Sequence, residues 1–476
     1  MNRVEKNAMN RIGVLIVGSC VSFVQLLSAQ IVQYPAPDNL PHNDDFSVKV
    51  RAAGGEWQEL FEYTAQVDMH KVRDASMVYF DFAGSVEVSV TCNREPVQSA
   101  RVRPLSCGIT PDVKGNTLTF KLSQPRDVSV EINGDIFHNL HVFTNPLEIN
   151  PPDPNDTNVI YLKPGFHTFE RGTLDVPSGK TLYLAGGAVV NGTVRCRNAE
   201  NVRIMGRGIL YQGQRGIEVV NSTNVTIEGL IVLNPQHYTV YGGQSKNLTI
   251  KNIRELSDKG WSDGIDLMSC SDVLVDGVFL RNSDDCIALY GHRWNFYGDA
   301  TNITVQNSTL WADVAHPINI GTHGNSEKPE MIGNILFTNI DILDHDEPQV
   351  AYQGCFAINV SDENLARNIR FENIRVEDFE QGQLVNLRVM FNRKYAKAPG
   401  RGIADILFKD ITYNGSHANI SVISGYDDSR AIKNVVFENL NINGRVVTNA
   451  DAARFYVGDH VEGLVLRRTT NSPAKN

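Results

Sequence analysis

A short pattern that recurs along the second half of the chain limits the possible folds more than any other sequence feature. It consists of Asn or Asp, an apolar residue, a variable residue, and then Ile, Val or Phe. Successive copies are 23 to 25 residues apart at first and 29 to 37 residues apart later. Copies begin at Asn201, Asn224, Asn247, Asp272, Asn302, Asn334, Asn368, Asp405 and Asn434. Self-similarity at such a period predicts a solenoid, in which each repeat stacks on its neighbours.

We expect this solenoid to be a right-handed parallel β-helix of nine or ten rungs. The repeated elements are short and rich in β-branched residues, and no helical periodicity separates them, which argues against helical or leucine-rich arrays. The Asn residues should stack in a turn, because Asn bonds nearby backbone groups and tolerates left-handed geometry. A long groove is expected along one face of the β-helix.

The preceding region, residues 30–150, has short alternating segments such as Phe46-Ser47-Val48-Lys49-Val50, which predict a β-sandwich. A proline-rich hinge follows, so we place a β-helix domain at residues 151–476 and expect an all-β protein. The sandwich could bind substrate or cap the exposed first rung of the solenoid. We favour capping, because no aromatic platform is evident in the sandwich.

The first 29 residues are typical of a secretory signal peptide. Basic residues precede an apolar run at 12–27, and small residues follow, which predicts cleavage after Ala29. A transmembrane anchor and a lipid anchor at Cys20 are the weaker alternatives. We therefore expect a secreted or periplasmic protein, and we expect it to be a monomer.

The charge balance and the cysteines exclude several functions. The formal net charge is -10 and no basic run stands out, which argues against a nucleic-acid or anionic-membrane partner. No segment after the apolar run is long enough and apolar enough to span a membrane. The cysteines have no metal-binding spacing. A disulfide between Cys92 and Cys107 is conceivable, and buried free thiols are expected elsewhere.

Three aspartates carry the chemistry that we expect. Asp263 precedes the adjacent pair Asp284 and Asp285 by about one rung, so all three can lie on one face of the solenoid. Crowded carboxylates repel one another and raise at least one pKa, as a proton-donating hydrolase requires. Acidic residues in a solenoid can also be solvated turns or calcium ligands. We prefer that interpretation for Asp266, Asp272 and Asp276.

Other candidate site residues surround this triad. His316 lies one rung further on, where its imidazole could bond a carboxylate and contribute to the substrate site. Trp261, Trp294 and Tyr297 are aromatic residues of the kind that stack on sugar rings. Arg293 is a candidate substrate-binding cation.

The motifs Ser262-Asp263-Gly264-Ile265-Asp266, Asp284-Asp285-Cys286 and Ala315-His316-Pro317 resemble, in order, those of glycoside hydrolase family 28, the polygalacturonases. The sandwich before the β-helix is similar to that of family 49, the dextranases and isopullulanases. The resemblance implies an inverting hydrolase of an α-linked polysaccharide or oligosaccharide, without a metal or other cofactor. It implies that Asp284 is the general acid and that Asp263 and Asp285 activate water.

One departure from family 28 concerns the sugar. The pectinases of that family carry an Arg-Ile-Lys motif about one rung after the histidine, and the matching region here, residues 354–360, has no basic pair. The departure favours a neutral glycan, unless Arg293, Arg388, Arg393 or Lys394 supplies a carboxylate clamp. A polysaccharide lyase and a carbohydrate-binding β-helix protein without turnover remain alternative functions.

Overall fold

The computed structural model describes residues 30–469. The predicted signal peptide, with its apolar run and Cys20, lies outside the described residues. Among those that are described, no helix has the length and apolarity needed to cross a membrane.

The N-terminal part is the predicted β-sandwich. Its strands are β1 (Gln30–Val32), β2 (Phe46–Ala52), β3 (Gln58–Glu59), β4 (Tyr63–Val67), β5 (Arg73–Ala83), β6 (Val86–Cys92), β7 (Ala100–Arg103), β8 (Asp112–Lys114), β9 (Thr117–Leu122), β10 (Val128–Ile132) and β11 (Asp135–Asn145). One sheet has the order β1-β5-β11-β10-β7, with β4 also paired to β5, and the other has the order β3-β2-β6-β9-β8. Apolar side chains of both sheets, such as Val48, Val88, Phe80 and Val130, form the core between them.

The remaining strands form the predicted parallel β-helix. They are β12 (Val159–Leu162), β13 (Gly165–Asp175), β14 (Thr181–Leu184), β15 (Ala188–Arg197), β16 (Glu200–Gly206), β17 (Ile209–Tyr211), β18 (Ile217–Val220), β19 (Thr223–Glu228), β20 (Ile231–Leu233), β21 (Val240–Gly243), β22 (Lys246–Lys251), β23 (Arg254–Leu256), β24 (Ile265–Met268), β25 (Ser271–Asp276), β26 (Phe279–Asn282), β27 (Ile287–Tyr290), β28 (Ala300–Ala312), β29 (Ile318–Ile320), β30 (Glu330–Asp344), β31 (Phe356–Val360), β32 (Asn364–Val376), β33 (Gly382–Gln383), β34 (Val385–Val389), β35 (Gly402–Tyr413), β36 (Ala418–Asn419), β37 (Ser421–Ser424), β38 (Ile432–Glu438), β39 (Asn441–Ile442), β40 (Arg445–Val446), β41 (Phe455–Val457), β42 (Val461–Glu462) and β43 (Val465–Arg467). Each main strand pairs in parallel with its copy one rung away, and β33 and β36 form a separate pair. A continuous apolar core fills the solenoid.

The repeated sequence pattern sets the register between rungs. The apolar residue after each Asn stacks on its copies, as Val202 pairs with Val225 and Val225 with Leu248. The Asn residues adopt left-handed backbone geometry and bond one another, for example through Asn224 Nδ2, which donates to Asn201 Oδ1 at 3.0 Å. The expected asparagine ladder is therefore present.

The sandwich packs along the side of the solenoid, so the expectation that it caps the first rung is wrong. Tyr63, Met77, Tyr79 and Phe143 of the sandwich share one apolar cluster with side chains from successive rungs. The solenoid members of this cluster include Val189, Ile209, Ile231, Leu256 and Phe279. This packing buries apolar side chains of both parts together, which stabilises the arrangement.

Four arginines tie the two parts together along this contact. Their partners across it are Asp81 for Arg207 (2.9 Å), Asp127 for Arg254 (2.9 Å), Asn139 for Arg281 (2.9 Å) and Glu377 for Arg103 (2.7 Å). Residues 146–158, between β11 and β12, contain no strand. The domain boundary at residues 150 and 151 stays a prediction. Cys92 and Cys107 are free thiols, so the conceivable disulfide between them is absent.

Candidate active site

Three successive rungs of one sheet bring the candidate residues together. Asp263 precedes β24, the Asp284–Asp285 pair precedes β27, and His316 precedes β29. The strands are in register, with Ile265 paired to Ile287 and Ile287 to Ile318. Each aspartate lies just before its strand begins, where the backbone is not constrained to strict alternation. Adjacent residues can therefore both reach the same face.

The Asp284 carboxylate is held by backbone donors. The N–H of Trp261 donates to Asp284 Oδ2 at 3.0 Å, and the N–H of Asp285 donates to Oδ1 at 3.1 Å. Trp261 adopts left-handed geometry with φ 63°, and this turn directs its N–H to the next rung. Asp284 is half-buried, whereas Asp263 and Asp285 are buried.

Asp285 is fixed by a buried histidine and an amide. His316 donates to Asp285 Oδ1 from its backbone N–H at 3.1 Å and from Nδ1 at 2.6 Å. Asn319 Nδ2 donates to Oδ2 at 2.7 Å. The other imidazole nitrogen of His316 faces the carbonyl of Tyr352. Because both ring nitrogens face oxygen acceptors, His316 is placed as an imidazolium that donates at both ends.

His316 is 0% exposed and lies behind Asp285. The expectation that it bonds a carboxylate agrees with this placement, but the expectation that it contacts the substrate does not. Its ring lies 4.5 Å from the ring of Tyr352, edge to face, and this packing leaves no open surface for a sugar.

The expectation that Asp266 lies in a solvated turn is wrong. It lies in β24, is 0% exposed, and interacts with Asp263. Neither oxygen of Asp266, nor Oδ1 of Asp263, has a hydrogen-bond partner when both groups are ionised. A proton on one carboxyl would let it donate to an oxygen of the other, which gives partners to at most two of these three oxygens. Two neighbouring buried carboxyls cannot easily both carry charge, so one of them holds a proton at neutral pH.

The environments push the carboxyl pKa values apart. Burial raises the pKa of Asp284 to about 7, and the charge of Asp285 adds to the rise. Burial also raises the pKa of Asp263 well above its ordinary value, with further contributions from Asp266 and Asp284. Burial alone would raise the pKa of Asp285, but the charge and hydrogen bonds of His316 hold it below its ordinary value.

The pKa of His316 is shifted in the direction opposite to that of Asp285. Burial alone would lower the pKa of His316, but the Asp285 carboxylate raises it to about 9. At neutral pH the site therefore combines a proton donor, Asp284, with an ionised carboxylate, Asp285. A pair of titratable groups separated in this way is typical of acid–base catalysis.

These values predict the pH dependence of catalysis. With Asp284 as the expected general acid, kcat/KM should fall as pH rises through about 7, because Asp284 then loses its proton. On the acid side it should fall only at a pH below the ordinary pKa of an aspartate, where Asp285, whose pKa is lowered by His316, takes up a proton. A pH–rate profile from initial rates measures both limbs. Activity that is constant from about pH 6 to about pH 9 would contradict the assignment of the acid.

The three aspartates open into a cavity of about 390 Å³. Trp261 and Arg293 are among the residues that line it, and the exposed Trp261 side chain (67%) leaves its ring available to a ligand. The Arg293 guanidinium lies 5.1 Å from the centre of the Tyr290 ring. This volume falls in the usual range for ligand sites, about 300–1,000 Å³.

Two of the predicted aromatic residues lie outside this cavity. Trp294 lines a neighbouring cleft of about 460 Å³, where its ring is stacked on Tyr238 at 5.7 Å. Tyr297 is exposed and lines neither cavity. Arg293 lines both cavities and lies between them.

Several residues of the cavity were not predicted from the sequence. They are Met69, His70, Tyr290, Glu347, Gln349, Tyr352 and Tyr395. Tyr290 could have been found, because it ends the strand that follows Asp285. Tyr352 lies in a loop between strands, and such loops differ in length from rung to rung. Met69 and His70 come from the sandwich. No motif marks any of these loop positions.

The triad could also hold a divalent cation, because one oxygen of each aspartate lies within 4.8 Å of the others. The donor set fits a metal poorly. Both oxygens of Asp284 and both of Asp285 already accept N–H donors, which leaves only Asp263 with an oxygen that lacks a partner. A hard cation prefers about six oxygen ligands.

The chain is similar to two polygalacturonases over part of its length. It is 26% identical over 285 residues to the probable endopolygalacturonase D of Aspergillus flavus, and the matched region covers 54% of each chain. It is 25% identical over 197 residues to the exopolygalacturonase clone GBGE184 of Arabidopsis thaliana, covering 40% of this chain and 42% of that protein. The chain thus spans about half or less of the length of these curated relatives.

Among solved structures, Dex49A from Penicillium minioluteum has the same fold. The TM-score is 0.58 at 13% identity, and the likeness covers 92% of this chain and 96% of that one. The sequence model of glycosyl hydrolases family 28 matches residues 184–455, which is more than half of the chain and includes all three aspartates. The chain therefore belongs to glycosyl hydrolases family 28.

Proposed function

We propose that this protein is an inverting hydrolase of an α-linked glycan that contains galacturonate. One observation carries the proposal: a half-buried carboxyl with a raised pKa, Asp284, lies beside a carboxylate, Asp285, that a buried histidine keeps ionised. Asp284 is the general acid that protonates the leaving glycosidic oxygen. Asp285 is the base that accepts a proton from water.

The remaining groups support this transfer. The imidazolium of His316 keeps Asp285 ionised, so that it can accept the proton of the attacking water. Asp263, one of whose oxygens lies within 4.8 Å of an oxygen of Asp284 and of Asp285, holds the attacking water in place by a hydrogen bond. After the bond breaks, Asp285 releases the proton it took from water to solvent and Asp284 takes up a proton from solvent, so the site returns to its starting state.

The distances between the carboxyls bear on the stereochemistry. Their closest oxygens lie within 4.8 Å, whereas acid and base in most inverting enzymes are about 6.5–9.5 Å apart, and about 5–5.5 Å is typical of retention. We propose inversion because the ordered motifs of the three aspartates resemble those of family 28, and that resemblance implies an inverting hydrolase.

The cations of the cavity favour a galacturonide. Arg293 and Lys394 line it together with the aspartates, so they can bind a sugar carboxylate although the Arg-Ile-Lys motif is missing. Arg388 and Arg393 line a separate cavity. The relatives named above are polygalacturonases, which agrees with this choice of sugar. A neutral glycan is the alternative that the missing motif favours.

A panel of polysaccharides tests the proposed function. Polygalacturonate, rhamnogalacturonan, dextran and pullulan are incubated with the protein, and new reducing ends and ultraviolet absorbance are followed together. We expect reducing ends from polygalacturonate without a rise in absorbance. An absorbing, unsaturated product would identify a lyase, and binding without cleavage would identify a carbohydrate-binding protein. Cleavage of dextran or pullulan alone would assign a neutral glycan.

We also propose that the enzyme is exported, since its proposed substrate is a polymer. The prediction of a signal peptide with cleavage after Ala29 supports this proposal. N-terminal sequencing of the protein recovered from its native cells tests it, and a mature chain that begins at Gln30 is expected.

A further inference from the structure

The cavity of the aspartates has one wall that does not belong to the solenoid. The turn between β4 and β5 of the sandwich extends to it, and Met69 and His70 line it. Met69 contacts the loop that carries Asp263. Gly260 lies in this loop, and a Cβ atom added to it would be only 3.3 Å from Met69 Sδ. The sandwich is therefore in direct contact with the catalytic loop.

Hydrogen bonds within the turn fix its shape. Asp68 adopts left-handed geometry with φ 63°, and its Oδ1 accepts the backbone N–H of His70 at 2.9 Å. Asp68 is buried, whereas the donor residue His70 is exposed, so this bond is partly buried. A short side chain that bonds the backbone two residues later stabilises such a turn. The His70 side chain is exposed and directed to the cavity rim.

The solenoid holds the turn from two sides. Asn234 Nδ2 donates to the carbonyl of Gln66 at 2.8 Å, and Asn234 Oδ1 accepts the N–H of Gln66 at 3.3 Å. The same Nδ2 donates to Asp258 Oδ1 at 3.0 Å, next to the loop of Asp263. On the other side, the Asp313 carboxylate faces the backbone N–H of Asp68. Two buried polar anchors thus fix the turn relative to the aspartates.

His70 also lies near the opposite wall. Burial raises the pKa of Asp346, and the charge of the nearby His70 opposes that rise. Asp346 directly precedes Glu347, which lines the cavity. The imidazole therefore lies at the rim between the sandwich turn and this loop. A ring N–H in that position can donate to an oxygen of a sugar in the cavity.

We propose that the turn at residues 68–70 is a substrate-binding wall, in which His70 donates a hydrogen bond to a sugar oxygen and Met69 packs against the sugar ring. The active site is then composite, and the sandwich determines specificity instead of only stabilising the solenoid. This inference rests on the proposed function, because it needs a glycan in the cavity.

Kinetics of variants in this turn test the inference. His70→Ala and Met69→Ala are compared with Lys71→Ala, whose exposed side chain belongs to the same turn but does not line the cavity. The substrate is the polysaccharide of the panel that the unaltered protein cleaves. We expect His70→Ala to lower kcat/KM by about 2- to 10-fold, mainly through KM, which is the effect of one lost hydrogen bond. His70→Gln keeps an N–H donor and should recover part of the loss.

The outcomes separate this inference from the proposed function. If the unaltered protein is active and His70→Ala and Met69→Ala behave as Lys71→Ala does, the composite site is wrong and the hydrolase assignment stands. If the unaltered protein cleaves no polysaccharide of the panel, the proposed function fails and this inference fails with it. Thermal unfolding of each variant checks that the sandwich stays folded.

Discussion

Replacement of Asp284 by Asn is expected to lower kcat by about 10²- to 10⁴-fold, the contribution of a positioned general acid. The amide has nearly the same shape but no acidic proton to give to the leaving oxygen. The variant should stay folded, because the carboxylate accepts only two backbone N–H groups, from Trp261 and Asp285, and the amide oxygen can keep one of them. Initial rates on the cleaved polysaccharide, with thermal unfolding alongside, measure the effect.

The matched control is Asp272→Asn. Asp272 belongs to the asparagine ladder, where it accepts from Asn302 Nδ2 at 2.9 Å. Most other copies of that position are Asn, so the substitution suits the ladder and removes one charge far from the cavity. Its kcat should equal that of the unaltered protein. More than a tenth of the original kcat in Asp284→Asn would contradict the role of Asp284 as the acid.

Replacement of Arg281 by Ala is expected to destabilise the protein by about 3–5 kcal/mol, because it leaves a buried carboxylate without its partner. The side chains of Arg281 and Asp313 are both 0% exposed, and Arg281 Nε donates to Asp313 Oδ2 at 2.9 Å. The same guanidinium bonds Asn139 of the sandwich. The free energy of unfolding from urea titrations, followed by intrinsic fluorescence, measures the loss.

The exposed pair of Arg195 and Asp175 provides the control. Their atoms are also 2.9 Å apart, but the Asp175 side chain is 66% exposed. Arg195→Ala should therefore change stability by less than about 1 kcal/mol. A similar small change in Arg281→Ala would mean that the buried pair contributes little to stability.

The fold could be predicted because its information is local and repeated. Each copy of the pattern carries its own Asn turn and apolar residue, so the ladder and the register between rungs follow from the spacing. The same spacing placed Asp263 one rung from Asp284 and His316 one rung further. A site residue whose position depends only on its own rung and the neighbouring rung can be located from sequence alone.

The other parts depend on contacts between distant segments. The sandwich turn with His70 reaches the cavity only because the sandwich packs along the side of the solenoid. No sequence motif indicates where the sandwich packs. Asp266 was misjudged because its burial comes from neighbours on other rungs and loops. Trp294 and Tyr297 follow the Asp284 rung closely, but their loop turns away from the cavity. Loop geometry, unlike rung spacing, is not repeated in the sequence.

Proton NMR of the first product formed from polygalacturonate tests the central claim most directly, namely that three aspartates of neighbouring rungs hydrolyse an α-glycosidic bond with a single displacement by water. The account predicts that the new reducing end appears first as the β-anomer and then equilibrates. A reducing end that appears first as the α-anomer, or an unsaturated sugar, would contradict it.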